Sequence, residues 1–89
     1  ALSAPRPNPS NGPALVSYSL PVTQHVRLAL YDVRGRLVRV LWDGEKKPGE
    51  YAADWNGTDE SGRTMPAGLY FYRLSGAVSG VREGRLVRL

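Results

Sequence analysis

The sequence has no cysteine and only one histidine, one methionine and one phenylalanine in 89 residues. Without cysteine there is no disulfide to support the fold and no thiol nucleophile. With His25 as the single imidazole, a zinc site is not expected. A Ser-His-Asp apparatus would have to be built on that same histidine, after Gln24 at the start of a strand, where an ordinary surface histidine is the simpler reading. Lysine is scarce as well: Lys46 and Lys47 stand against ten arginines. No apolar run approaches the roughly 20 residues of a membrane helix. No signal peptide opens the sequence, so an exported form would carry its signal upstream.

The length suits one domain with a modest core. The formal charge is +4. The basic residues are scattered along the chain with acidic ones among them: Arg27, Arg34, Arg36, Arg39, Arg63, Arg73, Arg82, Arg85 and Arg88 among Asp32, Asp43, Glu45, Glu50, Asp54, Asp59, Glu60 and Glu83. Such mixing reads as a solvated surface, and no nucleic-acid partner is expected.

Residues 1–13 hold four prolines, a glycine and two asparagines and read as a linker with little to pair or pack. Residues 14–89 read as one β domain. Val16, Tyr18 and Leu20 alternate with serines up to Pro21. Val26, Leu28 and Leu30 form one face of the next strand; Arg27, Ala29 and Tyr31 form the other. A tight turn at residues 33–36 uses Gly35, and 37–42 returns as a hairpin strand. The consecutive apolar residues Val40, Leu41 and Trp42 break the alternation there, which a bulge or two-sided burial would explain. Residues 43–49 read as a loop. Tyr51, Ala53 and Trp55 face one way, then 56–68 is irregular. Tyr70, Tyr72 and Leu74 alternate with Leu69, Phe71 and Arg73, and 81–89 forms a final strand. Nothing repeats at 3.6 residues. The expectation is an all-β, immunoglobulin-like antiparallel β-sandwich of about seven strands, with Trp42 and Trp55 as large core contributors.

Candidate chemistry is sparse. Paired carboxylates for glycoside hydrolysis would need a cleft that a small sandwich lacks. Phosphate-cradling glycine motifs are absent. No cofactor and no enzymatic activity are expected. The loop around Asp54, Asn56 and Asp59, with Glu60 beside it, gathers oxygen ligands of the kind calcium takes, about six to eight at a time. The same residue types cap turns through their own backbone, and capping is the reading preferred here. Tyr31 and Phe71 are expected to face outward, where aromatics can form a sugar-binding platform; Leu69 and Phe71 could also form a contact patch.

The order of short motifs resembles one family. Asn8-Pro9 with Asn11 resembles an NPxN opening, although Ser10 stands where the family often has phenylalanine. Tyr18-Ser19-Leu20-Pro21 looks like YSLP. Residues 30–38 are similar to the LxVYDxxGRxV hairpin. Gly49-Glu50-Tyr51, Trp55-Asn56-Gly57-Thr58-Asp59 and Gly62-Arg63 resemble GxYxxxWDGxDxxGR. Pro66, Gly68, Tyr70, Tyr72, Arg73 and Leu74 match PxGxYxYRL. The resemblance is to the immunoglobulin-like domain of the flagellar hook-capping protein, which recurs as the C-terminal domain of type IX secretion cargo. Gly35, Trp55, Asp59, Gly62, Pro66, Gly68 and Tyr70 carry it as fold residues.

The resemblance implies a non-catalytic sorting or anchoring module of a secreted bacterial protein. Its upstream passenger would share the precursor, and its partner would be the outer-membrane secretion and attachment machinery. Its location would be secreted or cell-surface, by way of the periplasm. The stretch Gly84 to Leu89 resembles the basic-apolar ending of sorting domains, so Arg85, Leu86, Val87, Arg88 and Leu89 are the expected contact residues. An end at Leu89 and a Pro-rich start both fit sorting. The alternatives are a structural module, either hook-capping scaffold or spacer, and an accessory carbohydrate-binding module.

Overall fold

The computed structural model describes residues 2–7 and 12–89. The NPxN-like opening at Asn8, Pro9, Ser10 and Asn11 lies outside the described residues. Among the described residues six strands form: β1 (Ala14–Leu20), β2 (Gln24–Tyr31), β3 (Leu37–Lys46), β4 (Gly49–Trp55), β5 (Gly68–Gly76) and β6 (Gly80–Arg88). The number is six, where the sequence suggested about seven. All pairings between them are antiparallel, in a two-stranded sheet β1-β4 and a four-stranded sheet β3-β2-β5-β6. This is the immunoglobulin-like sandwich expected from the alternating pattern.

The chain changes sheet at Pro21–Thr23, at Lys47-Pro48 and through the 56–67 loop. One row of each strand fills the space between the sheets. Ala14, Val16, Tyr18, Leu20 and Trp55 come from the smaller sheet; Val26, Leu28, Leu30, Val38, Tyr70, Tyr72, Leu74 and Leu86 come from the larger. Burying such apolar area drives the two faces together. Aromatic pairs add directionality: Tyr18 stacks on Tyr51 at 5.5 Å, and Trp55 meets Tyr70 edge-on at 5.1 Å.

Three expectations change. First, the described part of the leading segment, residues 2–7, pairs with the body, where its composition suggested little to pair. Leu2 and Arg6 bridge to Tyr18 and Leu15, and the Arg6 and Leu15 amides each donate to the other residue's carbonyl. The open edge of β1 offers unpaired backbone groups, and these outweigh the proline content. Second, Asp43–Lys46 continues β3, in register with Arg27 back to Gln24. The turn-prone composition yields to cross-strand partners, among them His25 Nε2–H donating to Asp43 at 2.6 Å. Third, Trp42 is 38% exposed, whereas Trp55 is 2% exposed. Trp42 pairs with Leu28, but it rides on an edge strand facing a sheet only two strands wide, and cover runs out. Lys46 fills part of the gap, with its ammonium 4.0 Å from the Trp42 ring and 4.1 Å from Tyr51. The broken alternation is a bulge: Trp42 pairs with Leu28 and Val40 with Ala29, leaving Leu41 as the extra residue.

Candidate functional site

The strip expected to meet a partner is split by the alternation of β6. Leu86 is fully buried in the core. Arg88 turns onto the body, donating from Nε to the Met65 carbonyl at 3.1 Å and lying 5.9 Å from the Trp55 ring centre. Its guanidinium sits directly over Gly57, where any side chain would collide with it. Arg85, Val87 and Leu89 are exposed, Leu89 to 65%. Two of the five residues therefore hold the fold, and three are presented to solvent.

Gly84 has a comparable close approach. Tyr72 stands opposite it in the β5-β6 register, and a Cβ at Gly84 would collide with the Tyr72 ring and hydroxyl. The ring lies across the glycine of the edge strand, an arrangement that supports a strand weakened by its missing side chain. A glycine inside an alternating strand is itself a sign of such an approach.

Two loops of sequence D-x-x-G-R share one geometry. Asp32 Oδ1 accepts from the Arg34 and Arg36 amides, and Asp59 Oδ1 accepts from the Ser61 and Arg63 amides, at 2.9 and 3.0 Å in both cases. Each aspartate carbonyl also accepts from the glycine amide, Gly35 or Gly62, at 3.0 Å. Those glycines have φ of 80° and 84°, which a side chain would strain. The Arg63 amide above all holds the Asp59 carboxyl below its ordinary range; burial opposes, while the Ser61 amide and the Arg63 guanidinium assist.

The calcium candidates are placed accordingly. Asn56 Oδ1 accepts from the Thr58 amide and hydroxyl. Asp59 caps its own turn, and Asp54 sits on the exposed face of β4. Among the described residues no group of three His, Cys, Asp or Glu side chains is arranged to hold a metal ion. Of the remaining motif residues, Trp55 Nε1 donates to Thr58 O, Tyr70 donates its hydroxyl to the Pro66 carbonyl, and Gly68 opens β5.

The 56–65 loop also covers β3. The Glu60 amide donates to Val38 O, and its carboxylate accepts from the Val40 amide. Arg39 reaches back to Thr58 Oγ1 and Asp59 O, both at 2.9 Å. No period in the sequence points to this loop-on-edge pairing.

On the outer face of the larger sheet, Tyr31 and Phe71 are cross-strand partners, as their outward assignment anticipated. Arg27 donates to the Tyr31 hydroxyl at 3.0 Å, and the Arg73 guanidinium lies 5.2 Å from its ring centre. Arg73 also pairs with Glu83 at 3.5 Å. Among the described residues, no helix is long and apolar enough to cross a membrane.

These features can be set beside known proteins. No curated protein sequence matches the chain. Among solved structures, FlgD from P. aeruginosa is 28% identical, with a TM-score of 0.64 over 84% of this chain and 57% of that one. FlgD from Xanthomonas campestris, described for its hook capping in flagellar assembly, is 26% identical, with a TM-score of 0.67 over 97% of this chain and 64% of that one. The chain thus spans less than two thirds of either FlgD. The dimeric latent form of PorU from Porphyromonas gingivalis is 19% identical and shares the fold, with a TM-score of 0.74 over 97% of this chain and 9% of that one. The family model of the FlgD Ig-like domain matches residues 10–80, from the leading segment to the first residue of β6. With the sandwich, the twin capped turns and that match all agreeing, the chain belongs to the FlgD Ig-like domain family.

Proposed function

We propose that this domain is a non-catalytic sorting and anchoring module of a larger exported bacterial protein, and that the outward residues Arg85 and Val87 of β6, with Leu89 just beyond it, are what the outer-membrane secretion machinery reads. The observation that carries the reading is the division of β6. Leu86 and Arg88 lock the strand to the body, so the outward row is held at fixed spacing on the border of a sheet. Rigid presentation lowers the entropic cost of recognition. A fold that occupies 9% of a much longer chain in PorU also suits an appended module.

The test is a folded reporter carrying residues 1–89 in a type IX-competent bacterium. The variants are Arg85→Glu and Leu89→Glu, which leave the core intact. Export of the parent fusion and loss of export in the variants, with unchanged circular dichroism, is the expected result. Equal export of all three removes the outward row from the mechanism.

A structural role is the second reading. It is favoured by the two FlgD structures, both above 25% identity, one of them described for hook capping. Retention of a well-folded parent fusion inside the cell would transfer the assignment to it.

A further inference from the structure

The outer face of the larger sheet carries a groove that neither reading uses. Tyr31, Asp32, Val33, Gly35, Phe71, Arg73 and Glu83 line about 290 Å³ beside the β2-β3 turn. We propose that this groove is a shallow binding site for a neutral carbohydrate, taking one sugar ring of a glycan against Tyr31 and Phe71.

Three properties define the occupant. The floor is aromatic and preset: Tyr31 and Phe71 are direct cross-strand neighbours, and the Tyr31 ring is braced by Arg27 at its hydroxyl and by Arg73 near its ring. Aromatic surface held in place takes the C–H face of a sugar with little ordering cost. The rim is polar and of mixed sign: the Arg73–Glu83 ion pair and the Asp32 carboxylate supply both donors and acceptors. Sugar hydroxyls both donate and accept, so they satisfy such a rim without displacing either charge. An apolar side chain would leave these groups unpaired. The lining itself holds two carboxylates, Asp32 and Glu83, and one arginine, Arg73, which is already paired with Glu83, so it offers an anion no free cation. Arg27 and Arg85 stand at its border, and the anionic control tests their pull. The volume is at the low end for small-molecule sites, which sets the size at a single ring and the affinity at the weak end.

The groove borders the sorting row, since Arg85 is the cross-strand partner of Phe71. Glycan binding is read on the isolated chain and sorting on export of a fusion, so a failure of one is distinguishable from a failure of the other. The experiment is affinity electrophoresis of the full chain through gels containing soluble laminarin, mannan, xylan or dextran, with polygalacturonate as an anionic control. A titration followed by amide NMR shifts runs beside it. Variants are Phe71→Ala and Glu83→Gln; the latter keeps the side-chain shape and the aromatic floor. The expected result is retardation by at least one neutral glycan, with shifts clustered at Tyr31 to Gly35, Phe71, Arg73 and Glu83. Binding should weaken roughly tenfold in Phe71→Ala, a loss of about 1.4 kcal/mol, and measurably in Glu83→Gln with an unchanged melting curve. No retardation by any neutral glycan overturns the proposal. So does retardation by polygalacturonate alone, which would reflect the +4 charge of the chain. Shifts clustered elsewhere, or binding unchanged in Glu83→Gln, overturn it as well.

Discussion

The two tryptophans differ in what surrounds them, and each makes a separate prediction. Trp55 is buried and hydrogen-bonded to Thr58 O. Trp55→Ala should cost about 3–5 kcal/mol, enough to unfold much of a small domain at ambient temperature, as read by urea denaturation. Trp42→Ala should cost on the order of 1 kcal/mol, because its ring is already partly in water. Acrylamide should quench the Trp42 emission and spare that of Trp55. Gly84→Ala should destabilise by about 1–3 kcal/mol, since the added methyl displaces the Tyr72 ring from a packed core; a lowered melting temperature would register it. Asp59 gives a pH signature. Its carboxyl is depressed in the folded state, so the stability it contributes is complete above the ordinary aspartate range. It is lost progressively as pH falls from that range through the lower folded value. Carboxyl NMR titration should place its midpoint below that of a free aspartate, and Asp59→Asn should flatten the acid limb of the stability curve.

At the scale of elements, alternation made most strands legible. Rows such as Tyr70, Tyr72, Leu74 have only one way to face a core. Even the bulge at Leu41 was visible as three apolar residues in succession. What escaped were features set by the partner rather than by the strand. Asp43–Lys46 has loop composition but is held by β2, and the segment 2–7 is held by β1. Likewise the strip 85–89 looked uniform in sequence, and only the pairing with β5 sends Leu86 inward and Val87 outward. The Glu60 cap on β3 belongs to the same class. Edge strands need protection from intermolecular pairing. Glu60→Ala should therefore speed amide exchange at Val40 by about tenfold, equivalent to roughly 1.4 kcal/mol of local opening. Unchanged exchange would mean that the loop backbone alone closes that edge.

For the whole molecule, stability rests on a core with three phenols in it. Burial foremost raises the pKa of Tyr18, Tyr70 and Tyr72. The unfolded chain ionises these groups first, so stability is complete below the ordinary tyrosine range and falls as pH rises through and beyond it. Phenolate absorbance from these residues should appear together with the loss of near-ultraviolet dichroism. Removing residues 84–89 is a different kind of perturbation. It takes Leu86 from the core and Arg88 from its place over Trp55, so such a truncation should be unfolded, and its failure in any assay would report folding alone.

Leu86 and Val87 are neighbours with opposite destinations. One closes the interior, and the next faces outward. The outward row acquires its spacing only after the inward row has been buried. A receptor for that row would be inspecting the finished product: a molecule whose sheets had not yet closed would offer the same letters without the layout. The strand would then act as a certificate of completion, and quality control would need no separate inspector.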